Sequence, residues 1–317
     1  MEPLFMAPVF QEKIWGGSNL HTVFDFALPS DKIGEDWAIS AHPHGISVVQ
    51  NGSFKGKKLD QLWQDHQELF GYQKEETFPL LVKILDAAND LSVQVHPDDK
   101  YALEHEGELG KTECWYVIDA KPGAQIIYGH TAKSRAELAE MLQLGQWDKL
   151  LRRVTVKKGD FFYVPSGTIH GIGQGIMILE TQQSSDTTYR VYDYDRSDEK
   201  GNKRPLHLQQ SIDVTNVPAY IPDLQISESR QGESAVISYL QTDFFNVYEW
   251  QVSGKLNLKK NAPYTLATVI DGYGELIVDG KSYELKMGTS FIIPDAIENW
   301  VIQGSVQLIA SEPGKKA

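Results

Sequence analysis

Residues 159–171 read GDFFYVPSGTIHG, and this stretch decides the fold. The run from Phe161 to Val164 is aromatic and β-branched, which predicts a strand. Pro165-Ser166-Gly167 then ends the strand, because these residue types favour turns. His170 follows where the chain returns to the sheet. The segment therefore predicts a strand, a tight turn and a second strand that opens on a histidine.

The stretch contains a Gly, then five residues, then Pro-x-Gly, then two residues and a His. It resembles the second sequence signature of the cupin superfamily, whose members are small β-barrels. The resemblance implies that His170 lies on the inner wall of such a barrel, where a metal ion would bind. A barrel without a metal is the alternative. Partner ligands elsewhere in the chain decide between the two.

The composition is that of a soluble globular protein. The 317 residues are 41% hydrophobic and 23% charged, and the length suffices for two domains with sizeable cores. We see neither an apolar run of about 18 residues, as a membrane span needs, nor a secretory signal. The single cysteine, Cys114, cannot form an internal disulfide. These features predict a cytoplasmic protein without a membrane partner.

The net charge of −13 argues against nucleic acid or an anionic membrane surface as a partner. An anionic substrate would then need a local cluster of Lys and Arg. The composition indicates nothing about the oligomeric state.

The segment Leu91–His96 predicts a strand with one polar face. Side chains alternate along a strand, so Ser92, Gln94 and His96 share a face while the leucine and the two valines take the other. Three polar groups beside an apolar face indicate a barrel interior that holds something polar. Taken alone, His96 is equally explained as a solvated residue at a strand end.

The segment Lys111–Ile118 predicts a second strand of this kind. Lys111 and Glu113 share a face with an aromatic residue, and we expect both to point into the same cavity. A buried carboxylate is costly without a partner. A metal ion would supply one, and a salt bridge to Lys111 is the alternative.

Further elements follow from periodicity and capping signals. We predict helices at 58–70, 99–107 and 134–151, and strands at 78–87, 152–158, 176–182 and 189–195. In the last strand Arg190, Tyr192 and Tyr194 are expected on one face. An ion pair of Arg190 with Asp193 or Asp195 would be a purely structural role.

The second part of the chain is a weak repeat of the first. Residues 265–271 align with 113–119, and 288–299 align with 159–170. Thr265 replaces Glu113 and Asn299 replaces His170, so the shape is retained and both ligands are lost. With a loop-like stretch at 215–230, we predict a metal-binding cupin domain at 1–225 and a second cupin-like domain without metal ligands at 226–317. The expected fold is mainly β, with two jelly-roll barrels and a few short helices.

Four side chains form the expected metal site. They come from three strands of the first barrel: Gln94, His96, Glu113 and His170. Two imidazoles, a carboxylate and an amide suit Zn²⁺ with one open position. The same His/Glu/His set suits non-haem Fe(II), and the residues alone leave that choice open. Gln94 is the weakest donor and can equally contact the substrate. The pair His42-Pro-His44 reads as a loop, from which one ring is a candidate for the pocket lining.

Along most of its length the chain resembles type I mannose-6-phosphate isomerase in its short bacterial form. The resemblance rests on LSVQVHPDD (91–99), KTECWYVIDA (111–120), YVPSGTIHGIG (163–173) and TYRVYDYDR (188–196), among other segments. It implies zinc ligands at Gln94, His96, Glu113 and His170, and a catalytic arginine at Arg190. It also implies substrate contacts at Ser92 and Lys111. The large helical insertion of longer members is reduced here to residues 134–151.

The resemblance implies one Zn²⁺ ion per chain and a phosphosugar substrate. The expected reaction interconverts mannose 6-phosphate and fructose 6-phosphate through an enediol or enediolate. The sequence does not identify the general base, since it gives neither distances nor pKa values. Two other functions remain open at this point: a cupin oxygenase that uses Fe(II), and a non-catalytic bicupin that binds a hexose phosphate.

Overall fold

The computed structural model describes residues 1–197 and 200–316, and strands dominate it. The strands are β1 (Leu4–Met6), β2 (Val9–Gly17), β3 (Ile33–Ile39), β4 (Leu80–Ala87), β5 (Val93–Val95), β6 (Glu113–Ala120), β7 (Gln125–His130), β8 (Leu151–Thr155), β9 (Phe161–Val164), β10 (His170–Ile172), β11 (Ile176–Gln183), β12 (Tyr189–Tyr192), β13 (Ser227–Gln231), β14 (Ser234–Gln241), β15 (Phe245–Lys259), β16 (Thr265–Val278), β17 (Lys281–Lys286), β18 (Ser290–Ile293) and β19 (Asn299–Pro313). The mainly β prediction is confirmed.

The helices are short. They are α1 (Asn19–Phe24), α2 (Leu59–Asp65), α3 (Asp99–His105), α4 (Arg135–Gln143), α5 (Trp147–Leu150) and α6 (Leu208–Val214), with 3₁₀ turns at Gly52–Phe54 and Gln67–Leu69. The predicted helices are confirmed as α2, α3 and the α4–α5 pair. In the described parts of the chain, no helix has the length and apolar character that crossing a membrane requires.

Two sheets pack face to face to form the first barrel. One has the order β2-β3-β4-β11-β6-β9 and the other the order β12-β5-β10-β7-β8. Between them lies an apolar core that includes Trp15, Leu85 and Trp115 from the first sheet and Ile126 and Ile172 from the second. Each such side chain stabilises the fold by about 1.5–3 kcal/mol on full burial. This packing gives the interior of the barrel a rigid wall.

The alternation of β5 decides which of its side chains enter the barrel. Val93 and Val95 point outward and pack with Leu138 and Leu142 of α4. Gln94 therefore points inward, as the period of two requires. The helices cover the apolar face of this sheet and leave the polar face for the site.

The second barrel is built from one strongly bent sheet of eight strands, with the path β1-β18-β16-β19-β15-β14-β13 and β17 paired to β16. Its three long strands, β15, β16 and β19, each carry a glycine at the same position in the sheet. Gly304 of β19 pairs with both Gly254 of β15 and Gly274 of β16. A Cβ on Gly304 would lie 2.7 Å from the Cα of Gly274. The glycines therefore let the strands approach closely and bend around an apolar core.

The internal repeat is confirmed by the strand register. Glu113 pairs with Val164 between β6 and β9, and Thr265 pairs with Ile293 between β16 and β18. Thr265 thus occupies the position of Glu113 in the second barrel. Among the described residues, the one cluster of potential metal ligands lies in the first barrel.

The two barrels share an interface with a large apolar component. Tyr264 from the second barrel inserts among Trp63, Phe70 and Phe78, with ring centroids 5.5–6.0 Å apart. The N-terminal strand β1 pairs with β18, so residues 4–6 belong to the sheet of the second barrel. The domain boundary at 225/226 stays a prediction.

The strand predicted at 189–195 ends early. β12 stops at Tyr192, because Tyr194 and Asp195 adopt left-handed backbone angles with φ of 55° that a strand excludes. The pairing with β5 also shifts between Arg190 and Tyr192. Tyr192 instead stacks on Trp147 at 4.3 Å, on the helical side of the sheet. The predicted common face of Arg190, Tyr192 and Tyr194 is therefore wrong.

Candidate active site

Three buried side chains converge inside the first barrel. His96 directly follows β5, Glu113 opens β6 and His170 opens β10, and one ligand atom from each lies within 4.8 Å of the others. Glu113 lies between the two imidazoles: its Oε1 is 3.2 Å from Nε2 of His170, and its Oε2 is 3.5 Å from Nε2 of His96. The chain thus brings together two nitrogen donors and a carboxylate from three strands.

The two imidazoles are oriented by backbone carbonyls. Nδ1 of His96 bonds the carbonyl of Thr187 at 2.9 Å, and Nδ1 of His170 bonds that of Thr168 at 2.8 Å. These bonds place the proton on Nδ1 and leave the Nε2 lone pair directed into the site. Burial, aided by Lys111, lowers the pKa of both rings, that of His170 to about 4. Both imidazoles are therefore neutral, as metal ligation requires.

The polar atoms at the centre of the cluster fit a bound cation. Both oxygens of Glu113 and Nε2 of His96 are buried without a hydrogen-bond partner among the described residues. Unsatisfied buried polar atoms are costly, and a carboxylate especially so. A divalent ion between the three side chains would satisfy all of these atoms at once.

Gln94 and Lys111 adjoin this cluster. Gln94 pairs directly with His170 across β5 and β10, and its Nε2 lies 3.3 Å from Nε2 of His170. Rotation of the amide by 180° turns its oxygen to the same place. Nζ of Lys111 lies 3.3 Å from Oε2 of Glu113. The salt bridge considered from the sequence is therefore present beside the candidate metal ligands.

A cavity of about 240 Å³ lies beside the cluster and is lined by both Gln94 and Lys111. Its polar lining has mixed charge, with cations at Lys13, Lys83, Lys111, Arg190 and Arg204, carboxylates at Glu35, Glu180 and Asp186, the amide of Gln94 and the hydroxyl of Ser92. The excess of cations supplies the local positive region that an anionic substrate needs in an acidic protein.

Arg190 reaches this cavity without an ion-pair partner among the described residues. Its Nη1 donates to the carbonyl of Pro205 at 2.9 Å, and its Nε is buried without a partner. Asp193 is instead engaged by Arg196 and Arg204 at 2.5 and 2.6 Å. The proposed structural role, an ion pair with Asp193, is therefore wrong, as is the one with Asp195, which Lys203 engages at 2.7 Å.

Six charged residues of the cavity lining were not predicted from the sequence: Lys13, Glu35, Lys83, Glu180, Asp186 and Arg204. Lys83 and Glu180 lie on β4 and β11, which read as continuous buried strands, and both are almost completely buried. Nζ of Lys83 lies 3.9 Å from oxygens of both Glu35 and Glu180, and Trp115 donates to Glu180 at 3.0 Å. Burial and the nearby Glu113 raise the pKa of Glu180 to about 7. The sequence does contain a signal for this pair, because a lysine or glutamate inside an apolar run needs a buried partner.

The pair His42 and His44 lies beside the cavity, outside its lining. Nε2 of His42 is 3.6 Å from Oε1 of Glu108, and Nδ1 of His44 is 3.0 Å from Oδ2 of Asp186. Neither histidine belongs to the cavity lining, whereas Asp186, the partner of His44, does. The suggestion that one of these rings lines the pocket is therefore wrong.

Comparisons with known proteins identify the family of the chain. The family model "Phosphomannose isomerase type I, catalytic domain" matches residues 4–118, and "Mannose-6-phosphate isomerase, cupin domain" matches residues 235–313. The mannose-6-phosphate isomerase of Streptococcus mutans is 55% identical over 312 residues, which is 98% of each chain. The mannose-6-phosphate isomerase ManA of Bacillus subtilis is 51% identical over 312 residues, again 98% of each chain.

A solved structure is equally similar. The crystal structure of a mannose 6-phosphate isomerase from Bacillus subtilis superimposes with a TM-score of 0.96 at 47% identity, and the match covers 98% of this chain and 100% of that one. The cupin fold is thereby confirmed. With about half of its residues identical to these relatives across nearly its full length, the chain belongs to the type I mannose-6-phosphate isomerase family.

Proposed function

We propose that this protein interconverts mannose 6-phosphate and fructose 6-phosphate at the cavity of the first barrel, with one Zn²⁺ ion per chain. The observation that carries the proposal is the buried His96–Glu113–His170 cluster, which adjoins, through Gln94 and Lys111, a cavity rich in cations. Family membership supports the reaction, and the donor set supports the metal.

The proposed ligands are His96, Glu113 and His170, with the amide of Gln94 as the fourth. Gln94 is included because its amide lies 3.3 Å from the donor nitrogen of His170. Imidazole and carboxylate donors fit zinc and non-haem iron alike. We assign zinc because the resemblance to the family favours it, and metal analysis of the purified protein tests that assignment directly.

The cavity can separate the two ends of a phosphosugar. Lys111 and Ser92 line the cavity and are both buried, so they can contact hydroxyls at the reacting end of the sugar. Arg204 and Lys13 are partly exposed, whereas Lys111 is buried. We therefore place the phosphate toward Arg204 and Lys13, since a planar guanidinium group binds phosphate oxygens in pairs.

The reaction moves a proton between C1 and C2 of the sugar and leaves negative charge on oxygen in between. A zinc ion, when bound, acts as a Lewis acid toward that charge. Lys111, which is buried, and Arg190 add fixed positive charge to the cavity. The proton needs a general base near the reacting carbons, and the cavity offers three carboxylates for it: Glu35, Glu180 and Asp186.

An isomerase assay with metal analysis tests the proposal. We expect zinc-loaded protein to form fructose 6-phosphate from mannose 6-phosphate, chelation to abolish turnover and added Zn²⁺ to restore it. Absence of turnover in zinc-loaded protein would refute the reaction, and full activity in metal-free protein would refute the role of zinc. The two other functions considered, an Fe(II) oxygenase and a non-catalytic bicupin, are not favoured by the family assignment. The cytoplasmic location stays a prediction.

A further inference from the structure

One loop links the metal ligand His96 to the substrate cavity. This loop, Ser185–Thr187, is the central part of the connection between β11 and β12. Its last residue provides the carbonyl that accepts the Nδ1–H of His96 at 2.9 Å. Its middle residue, Asp186, lines the cavity. The position of this loop therefore affects both the orientation of a metal ligand and the charge that faces the substrate.

Glu108 holds the loop from one side. Its Oε2 accepts three hydrogen bonds: from the hydroxyl of Ser185 at 3.2 Å, the backbone N–H of Asp186 at 3.4 Å and the hydroxyl of Thr187 at 3.0 Å. A single carboxylate oxygen thus binds every residue of the loop. Bonds to a charged acceptor are among the stronger hydrogen bonds in proteins.

The His42-Pro-His44 turn holds the loop from the other side. Nδ1 of His44 lies 3.0 Å from Oδ2 of Asp186. Nδ1 of His42 accepts the backbone N–H of His44 at 3.2 Å, which places the proton of His42 on Nε2, 3.6 Å from Glu108. The ring of His42 packs edge-on against Trp37 at 5.6 Å. The turn is therefore anchored in the barrel wall and contacts both the loop and the residue that holds it.

We infer that Glu108, supported by the His42-Pro-His44 turn, is a positioning residue for the metal site. It holds the 185–187 loop so that the carbonyl of Thr187 keeps the imidazole of His96 in its ligating tautomer and orientation. Groups that orient ligating histidines typically change metal affinity 10- to 100-fold when removed. Glu108 contacts the loop and not His96 itself, so we expect an effect on zinc affinity at the low end of that range. The inference rests on the proposed metal site.

Zinc affinity and release, measured by competition with a chromophoric chelator, test the inference without reference to turnover. In Glu108→Ala we expect zinc affinity to fall about 10-fold and zinc release to accelerate correspondingly. Glu108→Gln retains an acceptor oxygen for the loop and should remain within about 2-fold of the wild type. Glu104→Ala, an exposed carboxylate on α3, removes the same charge without touching the loop and should bind zinc as the wild type does.

Two outcomes would overturn the inference. One is unchanged zinc affinity and release in Glu108→Ala; the other is equal weakening in Glu108→Gln and Glu108→Ala, which would indicate charge in place of loop contacts. If Glu108→Ala fails to fold, Thr187→Val removes one of the three bonds at constant volume. It should weaken zinc about 2- to 3-fold, and wild-type affinity would refute the inference. Absence of zinc binding by the wild type would instead refute the proposed metal site.

Discussion

Replacing Glu113 by Gln separates its two possible roles, metal ligand and partner of Lys111. The carboxylate lies 3.3 Å from Nζ of Lys111, and both side chains are almost completely buried. At an effective dielectric constant of about 20, two unit charges at this distance attract each other by about 5 kcal/mol. Burial lowers the pKa of Lys111, but Glu113, Glu180, Asp186 and Glu35 together outweigh it, and the pKa is raised.

Three of those carboxylates remain in Glu113→Gln. We therefore expect the metal-free variant to lose about 2–4 kcal/mol of stability, somewhat less than a fully uncompensated buried charge costs. The corresponding fall in Tm is roughly 3–6 °C for a chain of this length. The double variant Glu113→Gln/Lys111→Met removes both charges and should recover most of that loss. Neither variant should retain zinc, because both lack the carboxylate ligand.

The assay compares thermal unfolding of chelator-treated proteins with zinc content after gel filtration in buffered Zn²⁺. Lys111→Met alone is the matched control, since it keeps the carboxylate and should still bind one zinc ion. If Glu113→Gln bound zinc stoichiometrically with wild-type affinity, Glu113 would be the partner of Lys111 alone. If its metal-free form were as stable as the wild type, the calculated attraction would be wrong.

Three further results are expected. Arg190→Ala should lower kcat about 10²- to 10³-fold while zinc content stays at one per chain, since the role proposed for the guanidinium is to stabilise charge on the substrate and not to hold the metal; near-normal kcat would assign Arg190 a structural role. Burial raises the pKa of Asp36 to about 7, so the folded state holds a proton that the unfolded state releases near pH 4, and stability falls as pH rises from about 4 to about 7. The Tm of Asp36→Asn relative to the wild type should therefore rise between pH 5 and pH 8, and a constant difference would contradict this. Tyr264→Phe should leave Tm unchanged or higher, because the buried hydroxyl lacks a hydrogen-bond partner among the described residues, whereas Tyr264→Ala should cost about 3–5 kcal/mol; equal losses in the two variants would refute this.

The sequence by itself determined which strands carry the candidate ligands. Alternation along a strand is a local property, so Gln94 and His96 could be assigned to the inner face before any fold was known. The glycine and proline spacing around His170 is equally local, because it reflects the backbone angles that a turn needs. The repeat is also visible in the sequence, since Glu113 and Thr265 occupy equivalent paired positions in the two barrels.

Only the tertiary structure determined which charged side chains form pairs. Lys83 and Glu180 come from adjacent strands whose own sequences read as plain apolar core, and their pairing depends on a register that the sequence does not display. Arg190 enters the cavity beside a bulge, and Asp193 turns to other arginines, which no residue period predicts. Local periodicity specifies the direction of a side chain, but its partner is set by contacts between segments that lie far apart along the chain.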